Sequence, residues 1–201
     1  MKNSTPKRVH TFTTFWHGFG EMINPSPEQK ARLQSPRVDK AFLEQIKLVV
    51  SRVNGCRTCT YVHSANALRG GLNDKELAEL LALDLGHFPE ERAMAFAFAQ
   101  HYAESSGQTD VVAEQRFRDY YGPQVSADIL AYLRFVQFNS LTGATIQALL
   151  SRLQGQRVLG SSLLTELIVF FMTALGYLPR LFWMEHATAY ARVREAINQP
   201  G

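Results

Sequence analysis

Only two cysteines occur in this 201-residue chain, so no disulfide scaffold can stand in for an apolar core. An excess of charge of one sign is also missing. The 21 lysines and arginines are nearly matched by 18 aspartates and glutamates, and the basic residues are scattered rather than gathered into a stripe that could track phosphates. Nucleic acid is therefore not an expected partner. The most apolar stretch, Leu163 to Met184, is interrupted by Glu166, Pro179 and Arg180, which leaves it short of the roughly 20 apolar residues that a membrane span needs. The first residues carry Lys2, Lys7 and Arg8 but no apolar secretory segment, so a cytoplasmic location without membrane attachment is the expectation. Alternating apolar and polar runs, fixed-period repeats and low-complexity tracts are absent as well.

What is present is ordinary globular material with helical periodicity. Hydrophobic residues make up 46% of the chain, enough for one domain to bury a core without staples. Val38, Phe42, Ile46, Val49 and Val53 recur at three- and four-residue spacing, predicting a helix from about Pro36 to Arg52 that Asn54 and Gly55 end. A second helix is expected from Cys56 to Gly70-Gly71, with Asn54 as its cap. A third opens at Asn73, where Glu76 three residues later completes a capping box. Further helices are expected from Pro89 to Glu104, Asp110 to Tyr121, Pro123 to Ser140, Thr142 to Leu153, Ser162 to Leu175 and Pro179 to Ile197. The fold class is all-α, and the short connections favour antiparallel neighbours in a bundle of about eight or nine helices. Three parts are expected: an N-terminal arm over 1–35 with at most a short helix at Pro27 to Leu33, a helical core over 36–157, and a C-terminal helical extension over 158–201 that packs on the core or at a subunit interface.

Both cysteines fall in one cluster, Cys56-Arg57-Thr58-Cys59-Thr60-Tyr61-Val62-His63. At roughly 100° per helical residue, Cys56, Cys59 and His63 share one face, which Asn66 and Ala67 complete. Helical residues three apart bring their Cβ atoms within adjustment range of a disulfide, so a reversible Cys56 to Cys59 bond is feasible. The first turn of a helix favours a thiolate, and His63, four residues after Cys59, can take or return its proton. Folding the two helices back about the turn near Asn54 makes positions equally distant from it neighbours, and the counterpart of His63 is Glu44. A carboxylate orienting an imidazole that serves a thiol is a recognised way to activate a nucleophile. Periodicity alone puts Glu44 opposite the apolar stripe, as a solvated residue, but Leu43, Leu48 and Val50 spread apolar surface around most of this helix, so a second buried contact on that side is reasonable. Thr58, Tyr61 and Asn66 could add hydrogen bonds around the cluster.

Other readings of the same residues stay open. Two inert core thiols are one, and a non-catalytic helical assembly module is another, its dithiol serving as a redox switch or as a zinc clip of Cys56, Cys59 and His63 that needs a fourth ligand only the fold could supply from His87, His101 or His186. His10 and His17 are read as structural or exposed. The run Leu167 to Leu175 and the later Leu181, Phe182 and Trp183 fit a core, a substrate pocket or a subunit interface.

The segment Asn54-Gly55-Cys56-Arg57-Thr58-Cys59-Thr60-Tyr61-Val62-His63, followed by an Ala-rich turn, Gly70-Gly71-Leu72 and a capped helix, resembles the alkylhydroperoxidase D-like, carboxymuconolactone decarboxylase superfamily. The likeness covers about Val38 to Ala103, including the helix start Pro89-Glu90-Glu91-Arg92-Ala93, and extends more weakly to Leu153. It implies an alkylhydroperoxidase D-like all-α subunit assembled into dimers, trimers or larger rings such as hexamers. It also implies a dithiol peroxidase or disulfide reductase activity with no bound metal or flavin, whose partners are a hydroperoxide and an external dithiol reductant of lipoyl or thioredoxin type. By position in the motif, Cys59 corresponds to the peroxide-attacking thiolate, Cys56 to the resolving thiol that meets the reductant, His63 to the proton acceptor and Glu44 to the relay carboxylate. The family's glutamate precedes its first motif cysteine by the same interval that separates Glu44 from Cys56. Thr58 stands where the best-studied peroxidases carry a further relay histidine. The decarboxylase branch lacks the cysteine pair, so its activity is not implied.

Overall fold

The helix that organises the molecule is the one whose sequence buries most. Lys40–Asn54 carries Leu43, Ile46, Leu48, Val49 and Val50, all essentially inaccessible, on nearly every side of its axis. Burying each such side chain contributes about 1.5–3 kcal/mol, so this segment is stable only when surrounded. In the computed structural model, which describes residues 8–156 and 158–176, it is packed against four other helices.

In chain order the helices are α1 (Phe12–Ile23), α2 (Pro27–Leu33), α3 (Lys40–Asn54), α4 (Arg57–Arg69), α5 (Asp74–Ala82), α6 (Glu90–Glu104), α7 (Val111–Leu153) and α8 (163–176). No strand occurs among the described residues, so the all-α class holds. The central helix α3 touches α4, α5, α6 and α7, and α4 folds back on it as a hairpin. Asp39 caps α3 by accepting from the Phe42 amide at 3.0 Å, which is why the helix starts at Lys40 rather than at Pro36. It ends where Gly55 adopts a left-handed conformation, φ 71°. Asn73 and Glu76 form the expected capping box at α5.

Two expectations need correction. The N-terminal arm is not limited to the short helix α2, because Phe12–Ile23 forms a further helix. Its aromatic residues fall at 12, 15, 16 and 19, one helical stripe, and Thr11 with Thr14 makes a capping box. Phe15, only 1% exposed, stacks on Phe138 of α7 and fixes the arm to the core. The second correction concerns α7. The helix breaks at Gly122 (φ 75°, ψ 166°), with Pro123 starting the next stretch, but runs on without interruption through Thr142-Gly143 to Leu153. The two helices expected on either side of Leu141 are one. The helix expected at Pro179 to Ile197 lies outside the described residues.

Buried polar contacts lock α7 to its surroundings. Arg37 holds the fully buried Asp128 with two hydrogen bonds at 2.7 and 2.9 Å. The Asn54 side-chain amide donates to Gln137 and Ser140 at 2.8 and 2.7 Å. Arg152 grips buried Glu166 of α8, both bonds 2.8 Å. Removing one partner of such a set strands a buried polar group, so these contacts fix one arrangement of α7 against α3 and α8.

Candidate active site

The reversal between α3 and α4 sets up the cysteine pair. Gly55 turns the chain, the Cys56 amide closes back on the Ser51 carbonyl at 3.1 Å, and Cys56 takes an extended conformation. Cys56 itself, not Asn54, is the residue that caps α4: its Sγ accepts the Cys59 amide at 3.3 Å. Asn54 is instead the buried last residue of α3, its side chain committed to α7. Cys56 and Cys59 are joined as a disulfide with their Cα atoms 5.3 Å apart. Cys56 is completely buried and Cys59 only partly so, which makes Cys59 the more accessible residue of the pair.

One wall of the pair is polar and comes from the hairpin. Folding α4 onto α3 places His63 against Glu44, with Nδ1 2.7 Å from Glu44 Oε2. The same oxygen accepts from Asn66 at 2.9 Å, and the other carboxylate oxygen accepts from Lys47 at 2.7 Å. Glu44 is therefore half-buried rather than solvated, its side chain 19% exposed. Burial pushes its pKa up, but the hydrogen bonds from His63, Lys47 and Asn66 together with the Lys47 charge outweigh it and hold the pKa at about 2. An ionised carboxylate only accepts, so Nδ1 of His63 carries the proton and Nε2 is left for other partners. The only hydrogen bond His63 makes among the described residues is to Glu44; none joins it to either sulfur.

The other wall comes from α7, about 90 residues away in sequence. Gly143 lies against the disulfide so closely that a Cβ there would stand 2.6 Å from Cys56 Sγ and 3.1 Å from Cys59 Sγ. Only glycine lets the helix pass the sulfurs at this distance. One turn on, Gln147 accepts from the Arg57 amide at 3.3 Å and donates to Thr58 Oγ1 at 3.1 Å, with its amide nitrogen 4.0 Å from Cys56 Sγ. Thr58 is thus a partner of Gln147, and Tyr61 points into solvent. Gly143, Gln147 and Lys47 were not singled out from the sequence. A glycine inside an otherwise helical stretch was the available sign of the first, and it reads equally well as part of a helix's first turn.

Among the described residues no cluster of three or more His, Cys, Asp or Glu side chains is arranged to hold a metal ion. His87 sits beside Asp84 and His101 beside Asp110, while His186 lies outside the described residues. No helix of the described residues is long and apolar enough to cross a membrane.

The model of the carboxymuconolactone decarboxylase family matches residues 29–100, a span that holds Glu44, both cysteines and His63. No curated protein and no solved structure matches the chain. The family span ends before α7, so Gly143 and Gln147, which complete the surroundings of the disulfide, lie beyond it.

Proposed function

We propose that this protein is a thiol-dependent hydroperoxidase that works through a Cys56/Cys59 dithiol-disulfide cycle. The observation that carries the reading is a closed, partly exposed disulfide whose helix presents, on the next turn, an imidazole held by an ionised carboxylate. In the reduced protein, His63 takes the Cys59 proton and the Cys59 thiolate attacks the outer oxygen of a hydroperoxide. The O–O bond breaks, the alkoxide leaves with the proton from His63 as an alcohol, and Cys59 becomes a sulfenic acid. The Cys56 sulfur then attacks Cys59, forming the disulfide and releasing water. An external dithiol, of lipoyl or thioredoxin type, returns the pair to thiols and leaves as its own disulfide.

Burial favours a different entry point for that reductant from the one the family resemblance implies. The incoming thiolate attacks Cys59, the more accessible of the pair, and expels Cys56, whose developing charge meets the Cys59 amide and the Gln147 side chain. No bound cofactor takes part, and the unit is a homo-oligomer.

The test is the rate of Cys56–Cys59 disulfide formation when hydrogen peroxide or an organic hydroperoxide is added to reduced protein. Cys59→Ser abolishes turnover. Glu44→Gln and His63→Gln each slow oxidation by about 10²-fold, the usual worth of a positioned acid-base group. Wild-type oxidation no faster than that of a free thiol, and indifferent to both substitutions, removes the peroxidase reading. Because Cys56 caps a helix and makes a good leaving thiolate, the second reading is then dithiol-disulfide exchange with protein or small-molecule disulfides.

A further inference from the structure

The N-terminal arm forms one side of an open cavity of about 710 Å³, well within the range of small-molecule sites. Its walls are the chain around His10, helix α1 and the middle of α7, and none of the dithiol residues lines it. On the α7 side, Arg134, Gln137, Phe138 and Leu141 recur at three- and four-residue spacing, so one face of the helix presents a cation, an amide and then apolar surface. Met22 and Phe135 extend the apolar lining.

Two features distinguish this cavity from a packing gap. Gln137 is 6% exposed and lines it, yet its amide nitrogen has no hydrogen-bond partner; its oxygen is already taken by Asn54. A buried unpaired amide costs about 1–3 kcal/mol, which an acceptor in the cavity would recover. Arg134, exposed at the same face, makes no ion pair among the described residues and has only the Tyr102 hydroxyl beside it, whereas Arg8 is occupied by the Ala103 and Glu104 carbonyls. His10 offers no charge here, since burial lowers its pKa to about 4 against a weaker opposing hydrogen bond to the Phe138 carbonyl.

We propose that this cavity binds an apolar monocarboxylate, with its carboxylate between Arg134 and the Gln137 amide and its hydrocarbon body among Met22, Phe135, Phe138 and Leu141. Guanidinium and amide donors spaced one turn apart on a helix suit the two oxygens of a carboxylate. Glu21 also borders the cavity and sets the level of affinity by opposing the ligand's charge. The site is independent of the dithiol reading, because it shares no catalytic group with it.

Calorimetric titration of the full chain with decanoate, and in parallel with decanol, tests the assignment. Saturable one-to-one binding of decanoate is expected, with decanol and the Arg134→Gln variant each weaker by about tenfold, the worth of a charge-assisted hydrogen bond. Leu141→Trp fills the cavity and abolishes binding, and Cys59→Ser leaves it unchanged. Absence of saturable binding, equal affinity for decanol, or an Arg134→Gln variant that binds decanoate like wild type overturns the proposal. The Arg134 substitution is at an exposed position, so its effect is readable even if Leu141→Trp folds poorly.

Discussion

The disulfide lies between two walls of different origin. The hairpin wall is built of groups close in sequence: Glu44, Lys47, His63 and Asn66 are brought together by a single chain reversal, and their chemistry is hydrogen bonding and charge. The α7 wall is built of Gly143 and Gln147, roughly ninety residues on, and its first contribution is the absence of a side chain. The family match covers the first wall and stops before the second. The comparison teaches that one chain reversal suffices to gather the carboxylate, imidazole and lysine, whereas the sulfurs' confinement depends on how far-off helix α7 is locked to α3 through Asn54, Gln137 and Ser140.

The largest effect that separates the walls is expected at Gly143. Replacing an internal helical glycine by alanine normally stabilises a helix by about 1 kcal/mol. Here the new methyl would stand 2.6 Å from a fully buried sulfur that the disulfide and the turn hold in place. Such overpacking costs about 1–3 kcal/mol, so the sign reverses and the oxidised protein loses stability. In the reduced protein each sulfur can rotate separately and the loss is smaller. Denaturant unfolding of Gly143→Ala in both redox states measures the difference. An oxidised Gly143→Ala protein as stable as wild type would remove the close-approach argument.

The hairpin wall predicts a pH signature that the α7 wall does not. Glu44 has its pKa lowered from 4.5 to about 2 on folding, so the stability it contributes is fully present above about 4.5 and is lost as pH falls through 2. Wild type should therefore lose stability between pH 4.5 and 2 more steeply than Glu44→Gln, which has no carboxyl to protonate there. Gly143→Ala should keep the wild-type slope. The check is a series of urea midpoints across that window, and parallel curves for wild type and Glu44→Gln would contradict the hydrogen-bonded cluster.

Legibility in the sequence follows the same division. The Glu44–His63 contact could be read because a tight reversal makes neighbours of residues equidistant from it, and the helix dipole, the cysteine spacing and the Asn73–Glu76 capping box are all local. The Val38 to Val53 stripe by itself puts Glu44 in solvent, and only the spread of Leu43, Leu48 and Val50 around the axis signals that this helix is packed on nearly all sides and has no solvent face for a wheel to identify. Gly143 was opaque for a different reason. A glycine just after Thr142 fits the first turn of a helix, and nothing marks it as a point of close approach until the helix is seen to run on through it and a disulfide is found opposite. Helix α1 was hidden by Gly18, Gly20 and β-branched threonines, which lower helix propensity, although its aromatic stripe is anchored by Phe15 on Phe138.

The smallest expected effect belongs to Gln147, and it sharpens the comparison by asking whether the α7 wall does any chemistry. Its amide nitrogen stands 4.0 Å from Cys56 Sγ in the disulfide, too far for a full hydrogen bond, but a thiolate at Cys56 would draw it closer. Gln147→Ala removes that donor together with its bonds to Thr58 and the Arg57 amide, all at the partly exposed start of α4. A hydrogen bond of this kind is worth about 0.5–1.5 kcal/mol, so opening of the disulfide by dithiothreitol should slow by roughly two- to tenfold. Oxidation by peroxide, which in the proposed mechanism uses the Cys59 thiolate and His63, should change less. If reduction proceeds at the wild-type rate in Gln147→Ala, the α7 wall confines the sulfurs without stabilising the leaving thiolate, and the only charge handling left at Cys56 is the amide at the start of α4.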